Sequence, residues 1–382
     1  MSEEDSLPFH HWLIADTSRT GTYQKAISQV VRKDDVVLDI GAGSGILSFF
    51  ACLAGARKVY AVEMSGALPL ARELCAGNDF NHLVEFRQGR SQEIQIPEAV
   101  DIIVSDTGCS FGLQAGLLGI LLDARKRFLK PGGRIIPRSL QFFVAPVEIK
   151  DGRNLDIWKK DRYGLDLSSL RRFAANTDYH IRVGADEVLA PPALLTTIHF
   201  QEVSSPYVAG ETLSVAARDG VVHGLAAWIA LELAPGISFT NSPLAPTVDW
   251  LHSFFPIQTP VELKKDDRVL AKIQTNNGEV WRWNIQIESG NSNAGSSATK
   301  ARFDHSTLWN FPLDPAQVKK QFPNYAPTLS RRGEAEKFLL SAFDGKQSAA
   351  EMTAELLERF SDCFPSKAAA AQFVARVIAR CT

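Results

Sequence analysis

Residues 36–65 read VVLDIGAGSGILSFFACLAGARKVYAVEMS, and this stretch decides the fold. A short apolar run leads into a turn that contains Gly41, Gly43 and Gly45 and then opens a helical pattern. Glycine permits the tight turn and leaves no Cβ between the backbone and a ligand. A second apolar run ends at Glu63, roughly 20 residues further on, where an acid accepts hydrogen bonds from ribose hydroxyls. This order of features predicts a cofactor site at the edge of a parallel sheet.

Apolar strands alternate with helical patterns through the first third of the chain. The strands are VVLDI (36–40), VYAVE (59–63), VEFRQ (84–88), DIIVS (101–105) and GRIIP (133–137). The helical patterns lie at 45–55, 66–77 and 113–130, with a weak one at 92–96. Strands that alternate with helices indicate a parallel sheet covered on both faces. We therefore expect residues 1–139 to form a Rossmann-like cofactor-binding domain with a helix at its N-terminus.

The pattern changes near residue 140, and three further features follow. Residues 140–305 are strand-like and predict an all-β domain, with a hairpin that turns at Asn277-Gly278. Within it, residues 155–180 contain a helical pattern that we expect to project as an arm. Residues 306–382 predict a linker and a small helical segment. The fold class is thus α/β followed by all-β and a few C-terminal helices.

Composition narrows the class of protein. The 382 residues carry a formal net charge of −2 without a basic block, which argues against a nucleic-acid partner. The five cysteines show no metal-binding spacing, so we expect reduced thiols and no metal site. The polar N-terminus does not look like a signal peptide, and no apolar run reaches the roughly 18 residues of a membrane span. These features predict a cytoplasmic protein without membrane attachment.

The spacing of the glycines distinguishes between cofactors. A dinucleotide site needs GxGxxG with a helix N-terminus facing the pyrophosphate, whereas this turn reads GxGxG. Asp39 stands two residues before the first glycine and can face an amino group, which S-adenosylmethionine has. The alternatives at this point are a dinucleotide oxidoreductase and an ordinary glycine turn in another α/β fold.

Several stretches together resemble the protein arginine methyltransferase family. They are DTSRTGTYQKAI (16–27), the stretch 36–65, DIIVSD (101–106), LDARKRFLKPGGRIIP (122–137) and RYGLDLSSLRRFA (162–174). The resemblance implies S-adenosylmethionine as cofactor, a β-barrel after the Rossmann-like domain and a head-to-tail homodimer. It assigns cofactor binding to Arg19, which would pair with the carboxylate, to Asp39, Glu63 and Met64, and to Gln92 near the adenine. The glycines of the turn complete the cofactor site.

The loop that holds the acceptor in this family departs from its pattern here. The family places two glutamates in this loop; the first is the shorter Asp106 and the second falls on Ala115, beside Gln114. A histidine of the family's barrel is replaced by Asp249. We expect Asp106 to be the catalytic carboxylate, while Asp249 either faces the site or lies at the surface. A guanidinium that faces one carboxylate instead of two is poorly compensated.

These residues support two hypotheses. The first is an S-adenosylmethionine-dependent methyltransferase whose acceptor is a peptide, a protein or a small molecule, and need not be arginine. The second is a catalytically inactive homologue that acts as a binding or regulatory partner. His10 and His11 are expected at the surface, and Cys109 is expected to be a small apolar filler. Residues 335–360 resemble winged-helix modules that recognise precursor peptides, the alternative being helices that pack on the barrel.

Overall fold

The computed structural model describes residues 6–106, 113, 116–150, 152–153, 155–159, 161–248, 250–290, 298–320 and 322–381. The chain divides into two compact units, Met1–Pro312 and Leu313–Thr382. Within the described residues, no helix is both long and apolar enough to cross a bilayer.

The first part of the chain forms a parallel sheet with helices around it. Its strands are β1 (Val36–Ile40), β2 (Lys58–Glu63), β3 (Val84–Gln88), β4 (Val100–Ser105) and β5 (Leu129–Ile136), in the order β3-β2-β1-β4-β5. The helices are α1 (Leu7–Ala15), α2 (Thr17–Val30), α3 (Ile46–Leu53), α4 (Leu68–Gly77) and α5 (Leu117–Phe128). Strand β1 is buried along its whole length because helices cover both faces of the sheet. The Rossmann-like fold expected from the sequence is confirmed.

The structure differs from the sequence-based expectations at two places in this region. Residues 92–93 lie in a turn and 94–96 have no regular structure; Pro97 follows directly and disfavours helical backbone in the residue before it. The pattern at 113–130 gives a helix that ends at Phe128. From Leu129 onward the chain instead pairs with Val100 of the neighbouring strand, and sheet pairing there takes the place of the last helical turn.

The second part of the first unit is antiparallel. Its strands are β6 (Ser139–Val147), β7 (Tyr179–Ile181), β8 (Ala193–His199), β9 (Tyr207–Val215), β10 (Gly220–Ala234), β11 (Ile237–Thr240), β12 (His252–Leu263), β13 (Arg268–Asn276), β14 (Val280–Glu288) and β15 (Thr299–Ser306). One sheet has the order β7-β12-β10-β6-β8, with β11 beside β10, and the other has the order β15-β14-β13-β9. Trp228, Phe255 and Trp283 are fully buried in this part of the molecule. The predicted hairpin is confirmed: Asn277 and Gly278 both have positive φ, as its turn requires.

The segment that resembles a helical arm contains little regular helix. It holds short 3₁₀ turns at Leu155–Ile157 and Ser168–Leu170 and one helical turn, α6 (Arg171–Ala174). The helix expected here is wrong because Tyr163 and Gly164 adopt positive φ angles of 55° and 74°, which interrupt a right-handed helix.

The second unit is helical. It contains α7 (Pro315–Lys319), α8 (Arg331–Ser341), α9 (Ala349–Arg359) and α10 (Lys367–Cys381), and Leu339 and Leu356 are fully buried in its own apolar core. Ser348 and Glu351 form a capping box at the start of α9. No strand occurs in the part of 313–381 that the structure describes. The resemblance to a winged helix therefore rests on helices alone and stays a prediction.

Acidification should destabilise the β-rich part through His305. This side chain is buried beside Trp283 and Phe303, and its Nε2 has no hydrogen-bond partner among the described residues. Burial lowers the pKa of His305 to about 4. The neutral form is therefore native, and the associated stability is complete above about pH 6.5 and falls as pH drops toward 4, by about 1.4 kcal/mol per unit.

Thermal unfolding between pH 7.5 and 4.5 measures this effect. His305→Phe, which keeps the ring stacked without a titratable group, is expected to lose less of its Tm on acidification than the natural protein. His199→Gln is the matched control, because His199 is exposed. Equal losses of Tm in His305→Phe and the natural protein would show that His305 does not contribute.

Candidate functional site

The acidic residues singled out in the sequence lie at one edge of the parallel sheet. Asp39 is the penultimate residue of β1, Glu63 ends β2, and Asp106 directly follows β4. Strands β1 and β4 are neighbours, with Ile40 paired to Ser105. The strand order reverses between them, and in open α/β sheets ligands bind at such a point, outside the carboxyl ends of the strands.

The glycine turn wraps over this edge. Gly41, Gly43 and Gly45 have φ angles of 74°, 52° and 82°, a region that residues with a Cβ rarely adopt. A Cβ on Gly45 would also lie 2.8 Å from the ring of Phe49. The turn is therefore specified by both backbone conformation and packing, and a larger residue at Gly45 would be strained in its backbone and would require the ring of Phe49 to shift.

Glu63 holds the glycine turn in place. One carboxylate oxygen accepts from the N–H of Gly43 at 2.8 Å, and the other accepts from the N–H of Ser65 at 2.7 Å. Each oxygen of a carboxylate has two acceptor positions, so both retain capacity for a further donor. The side chain is thus fixed beside the turn in an orientation suited to accept from hydroxyl groups.

Asp39 is a buried carboxylate with one unsatisfied oxygen. The hydroxyl of Ser48 donates to Oδ2 at 2.6 Å, whereas Oδ1 has no partner in the described part of the chain. Burial, with a smaller contribution from the nearby charge of Glu63, raises the pKa of Asp39 to about 7, although the hydrogen bonds from Ser48 oppose the rise. A buried polar atom without a partner is costly. A ligand with a positively charged donor would satisfy it.

His10 is buried, so the expectation that it lies at the surface is wrong. Helix α1 crosses the glycine turn, and Cε1 of His10 lies 3.1 Å from the position of a Cβ on Gly43. Its Nε2 has no hydrogen-bond partner among the described residues. Leu7 and Ile14, which share its helix face at i−3 and i+4, are exposed, so the apolar pattern of this helix did not indicate that His10 is buried. His11 is exposed as expected.

Arg19 and Asp106 form an ion pair that the sequence did not indicate. An Nη2–H of Arg19 donates to Oδ2 of Asp106, and Nη1 donates to the carbonyl of Leu13 at 2.9 Å. Their side chains are only 7% and 8% exposed. Burial raises the pKa of Asp106, and the Arg19 charge partly opposes that rise. The group expected to bind the cofactor and the group expected to face the acceptor are therefore in direct contact.

Tyr23 packs beside this pair. Its hydroxyl donates to the carbonyl of Ser105 at 3.1 Å, and the ring is almost fully buried. Burial and the negative charge of Asp106 hold the pKa of Tyr23 well above its ordinary value. Tyr23 is therefore a neutral donor that fixes the end of β4, and with it the backbone from which Asp106 projects.

Met64 and Gln92, which were also expected to bind the cofactor, make none of the side-chain contacts described above. Met64 follows β2 and is 62% exposed, and Gln92 is exposed and accepts from the hydroxyl of Ser91 at 3.3 Å. Cys109, Gln114, Ala115 and Asp249 lie outside the described residues. Within those that are described, no group of three or more histidine, cysteine or acidic side chains is placed to hold a metal ion.

Family models match most of the first unit. Residues 19–138 match the model described as ribosomal protein L11 methyltransferase, and residues 139–289 match the arginine methyltransferase oligomerization subdomain. The chain therefore carries an oligomerization subdomain after its methyltransferase domain. Both assignments agree with the parallel sheet and the antiparallel sheets described above.

Relatives and solved structures agree with these models. The chain is 31% identical to protein arginine N-methyltransferase 6 of Danio rerio, over 69% of this chain and 80% of the relative. It is 30% identical to protein arginine N-methyltransferase 6 of Xenopus tropicalis, over 71% and 84%. The Trypanosoma brucei PRMT1 enzyme–prozyme heterotetrameric complex with AdoHcy gives a TM-score of 0.70 at 25% identity, covering 80% of this chain and 99% of that one.

Beside the glycine turn, Oδ1 of Asp39 and Nε2 of His10 have no hydrogen-bond partner among the described residues. A ligand that carries both an ammonium group and hydroxyls, as S-adenosylmethionine does, fits this site. The chain is an S-adenosylmethionine-dependent methyltransferase, and it belongs to the protein arginine N-methyltransferase family.

Proposed function

We propose that this enzyme methylates a nitrogen atom of a peptide or protein at the carboxyl edge of its parallel sheet, with Asp106 as the catalytic carboxylate. The observation that carries the proposal is the pair of buried, unpartnered polar atoms beside the glycine turn, Oδ1 of Asp39 and Nε2 of His10. Polar atoms in that state indicate a polar ligand that completes them. Asp39 is close enough to Asp106 for their charges to interact, which supports a ligand that lies beside the acceptor.

Each side chain has a distinct proposed role in holding the cofactor. Arg19 pairs with its carboxylate, Asp39 accepts from its ammonium group, Glu63 accepts from its ribose hydroxyls and His10 covers the turn. The peripheral contributors are Gly41, Gly43, Gly45, Met64 and Gln92. S-adenosylmethionine supplies a methyl group on a positively charged sulfur, which is open to attack by a nucleophile in line with the carbon–sulfur bond.

Asp106 is suited to receive the proton that the acceptor nitrogen loses. Burial raises its pKa, and a carboxylate with a raised pKa is the stronger base. The charge of Arg19 opposes that rise, and its direct contact fixes the direction of the carboxylate. The protein also contributes to the rate by aligning the acceptor nitrogen with the methyl group and by excluding water.

The class of acceptor follows from the relatives and from the altered loop. The relatives are named protein arginine N-methyltransferases, so arginine in a peptide is the first candidate. Asp106 is shorter than glutamate and its charge is already engaged by Arg19, which weakens the compensation of a second cation. Histidine, whose imidazole is largely neutral at pH 7, is therefore the second candidate.

The assembly and the domains are also part of the proposal. We infer a homodimer formed through the oligomerization subdomain, a cytoplasmic location and no nucleic-acid partner, the last because acidic and basic residues are balanced. The cofactor-binding domain spans 1–139, the β domain spans 140–305, and 306–382 form a separate helical segment. The antiparallel sheets and the second helical unit support this division.

Methyl transfer from radiolabelled S-adenosylmethionine to a peptide library tests the function. We expect transfer to at least one acceptor class, and a loss of about 100-fold or more in kcat for Asp106→Asn, because a positioned base contributes 10²–10⁴-fold. Affinity for S-adenosylhomocysteine should remain. Asp123→Asn is the matched control, since Asp123 lies on the outer surface of α5 in a partly exposed pair with Arg127. Cofactor binding without transfer to any acceptor would favour the inactive-homologue hypothesis.

A further inference from the structure

Helix α5 begins without a side-chain cap of its own. Its N-cap is Gly116, which has a left-handed φ of 73° and no side chain to accept from the first N–H groups of the helix. Those N–H groups have no partner within the helix and need one from elsewhere. The acceptor loop, residues 106–115, ends directly before Gly116. Whatever holds the start of α5 therefore also fixes where this loop ends.

The hairpin between β13 and β14 supplies the missing cap. At its tip, Oδ1 of Asn277 accepts from the backbone N–H of Gly119 at 2.8 Å, across 158 positions of sequence. The side chain reaches the helix because Gly116 and Gly119 carry no Cβ: a Cβ added to either would lie 3.0 Å from Nδ2 of Asn277. The backbone N–H of Asn277 donates to the carbonyl of Pro206 at 2.9 Å. The β domain thus caps a helix of the parallel-sheet domain with a residue that is itself held in place.

The next residue of the hairpin tip contacts the acceptor loop directly. A Cβ on Gly278 would overlap the carbonyl oxygen of Leu113 and lie 2.8 Å from its carbonyl carbon. Both are backbone atoms, so a larger residue at position 278 requires the backbone at Leu113 to move. Leu113 is fully buried, and a closely packed interior resists such a shift. The hairpin tip therefore holds the end of the acceptor loop by a hydrogen bond and by a close backbone approach.

The other end of the acceptor loop is fixed by different residues. The hydroxyl of Tyr23 donates to the carbonyl of Ser105, and Arg19 contacts Asp106. Helix α2 thus sets where the loop starts, and the hairpin of the β domain sets where it ends. Reacting groups must be held closely, since a displacement of about 1 Å can lower a rate on the order of 100-fold.

We propose that Asn277 and Gly278 are positioning residues for methyl transfer, through which the β domain sets the geometry of the acceptor loop. They act through Gly119 and Leu113 and not by contact with the reacting atoms. This rests on the proposed function, in which the acceptor nitrogen lies beside Asp106. The cofactor residues Asp39 and Glu63 are held instead by Ser48 and by the glycine turn. Loss of the hairpin contacts should therefore impair transfer and leave cofactor affinity unchanged.

Four variants separate positioning from general stability. Asn277→Gly keeps the left-handed turn, because glycine adopts positive φ readily, but removes the cap. Asn277→Asp keeps both the turn and the accepting oxygen, since aspartate caps as well as asparagine. Gly278→Ala places a Cβ against Leu113. Gly236→Ala is its matched control, because Gly236 has a φ of 76°, against 74° for Gly278, but open space where the Cβ would lie.

Steady-state methyl transfer to the acceptor found with the peptide library measures the positioning. At a temperature at which all variants are folded, we expect kcat/KM to fall about 10-fold or more in Asn277→Gly and Gly278→Ala, with most of the loss in kcat. It should change by less than about 2-fold in Asn277→Asp and Gly236→Ala. Affinity for S-adenosylhomocysteine should remain that of the natural protein in all four. General destabilisation would not lower kcat selectively and be rescued by aspartate.

Hydrogen exchange of the same variants, followed by mass spectrometry, tests the anchoring without turnover. Peptides that cover residues 113–119 should exchange about 10-fold faster in Asn277→Gly, because the N–H of Gly119 loses its partner and this segment opens more often. Peptides that cover the glycine turn at 41–45 should exchange as in the natural protein.

Several outcomes overturn the proposal. They are an unchanged kcat/KM in Asn277→Gly and Gly278→Ala, an equal loss in Asn277→Asp, an equal loss in Gly236→Ala, or a parallel loss of affinity for S-adenosylhomocysteine. If the natural protein transfers methyl groups to no acceptor, the proposed function fails and hydrogen exchange alone decides. Faster exchange confined to 113–119 would keep the hairpin as the anchor of this loop, and unchanged exchange would reject it.

Discussion

Asp39→Asn is expected to lower the affinity for S-adenosylhomocysteine about 100-fold at pH 8, which corresponds to a loss of about 2.7 kcal/mol. The carboxylate of Asp39 is buried, and its Oδ1 has no partner among the described residues. A hydrogen bond between two charged groups contributes about 1.5–3 kcal/mol. Asparagine keeps the shape and can still accept from Ser48, so the change removes only the charge.

The same residue makes binding depend on pH. Because burial raises the pKa of Asp39 to about 7 in the free protein, it is mostly protonated below that pH. An ammonium ligand binds the ionised form, so the affinity of the natural protein should be maximal near pH 8 and fall up to 10-fold per unit below 7. Asp39→Asn should show a flat profile between pH 5.5 and 8.

Calorimetric titration across that range measures both effects. Asp79→Asn is the control: Asp79 is exposed with a φ of 60°, a conformation that asparagine also adopts. A pH profile in Asp39→Asn that matches the natural protein would place the titration elsewhere. Affinity that is unchanged at pH 8 would remove Asp39 from the cofactor site.

Arg19→Met is expected to destabilise the fold by about 3–5 kcal/mol, because it leaves the buried carboxylate of Asp106 without its partner. Asp106→Asn should cost less, since Arg19 retains the carbonyl of Leu13. The double variant should be more stable than the sum of the two single losses predicts, by about 2 kcal/mol. Urea unfolding of the four proteins measures this coupling.

Cofactor binding separates the structural role of Arg19 from its proposed role as ligand. The double variant should recover stability but not affinity for S-adenosylhomocysteine, since methionine cannot pair with a carboxylate. Arg57→Met is the control for loss of an exposed pair with Glu98 and should cost less than about 1 kcal/mol. Additive losses in the double variant would mean that Arg19 and Asp106 do not interact in solution, and restored affinity would show that Arg19 is not a cofactor ligand.

The sequence by itself determined the parallel sheet and the positions of its acidic residues. The strand periodicity and the glycine turn can be recognised from short stretches of sequence. Parallel strands bring their carboxyl ends to the same edge of the sheet, independently of how the rest of the chain folds. The positions of Asp39 and Glu63 at that edge follow from this rule alone. The hairpin at Asn277-Gly278 was equally predictable, because its turn requires two positive φ angles that these residues adopt readily.

Only the tertiary structure decided how distant segments meet. Arg19 and Asp106 are separated by 87 positions, and their pairing depends on how α2 packs against the end of β4. His10 is buried because α1 crosses the glycine turn, which a helix pattern cannot specify. The segment at 155–180 lacks the expected helix because Tyr163 and Gly164 adopt positive φ angles. The local sequence pattern determines the secondary structure of each segment. Packing against segments that are distant in the sequence determines which polar groups face one another.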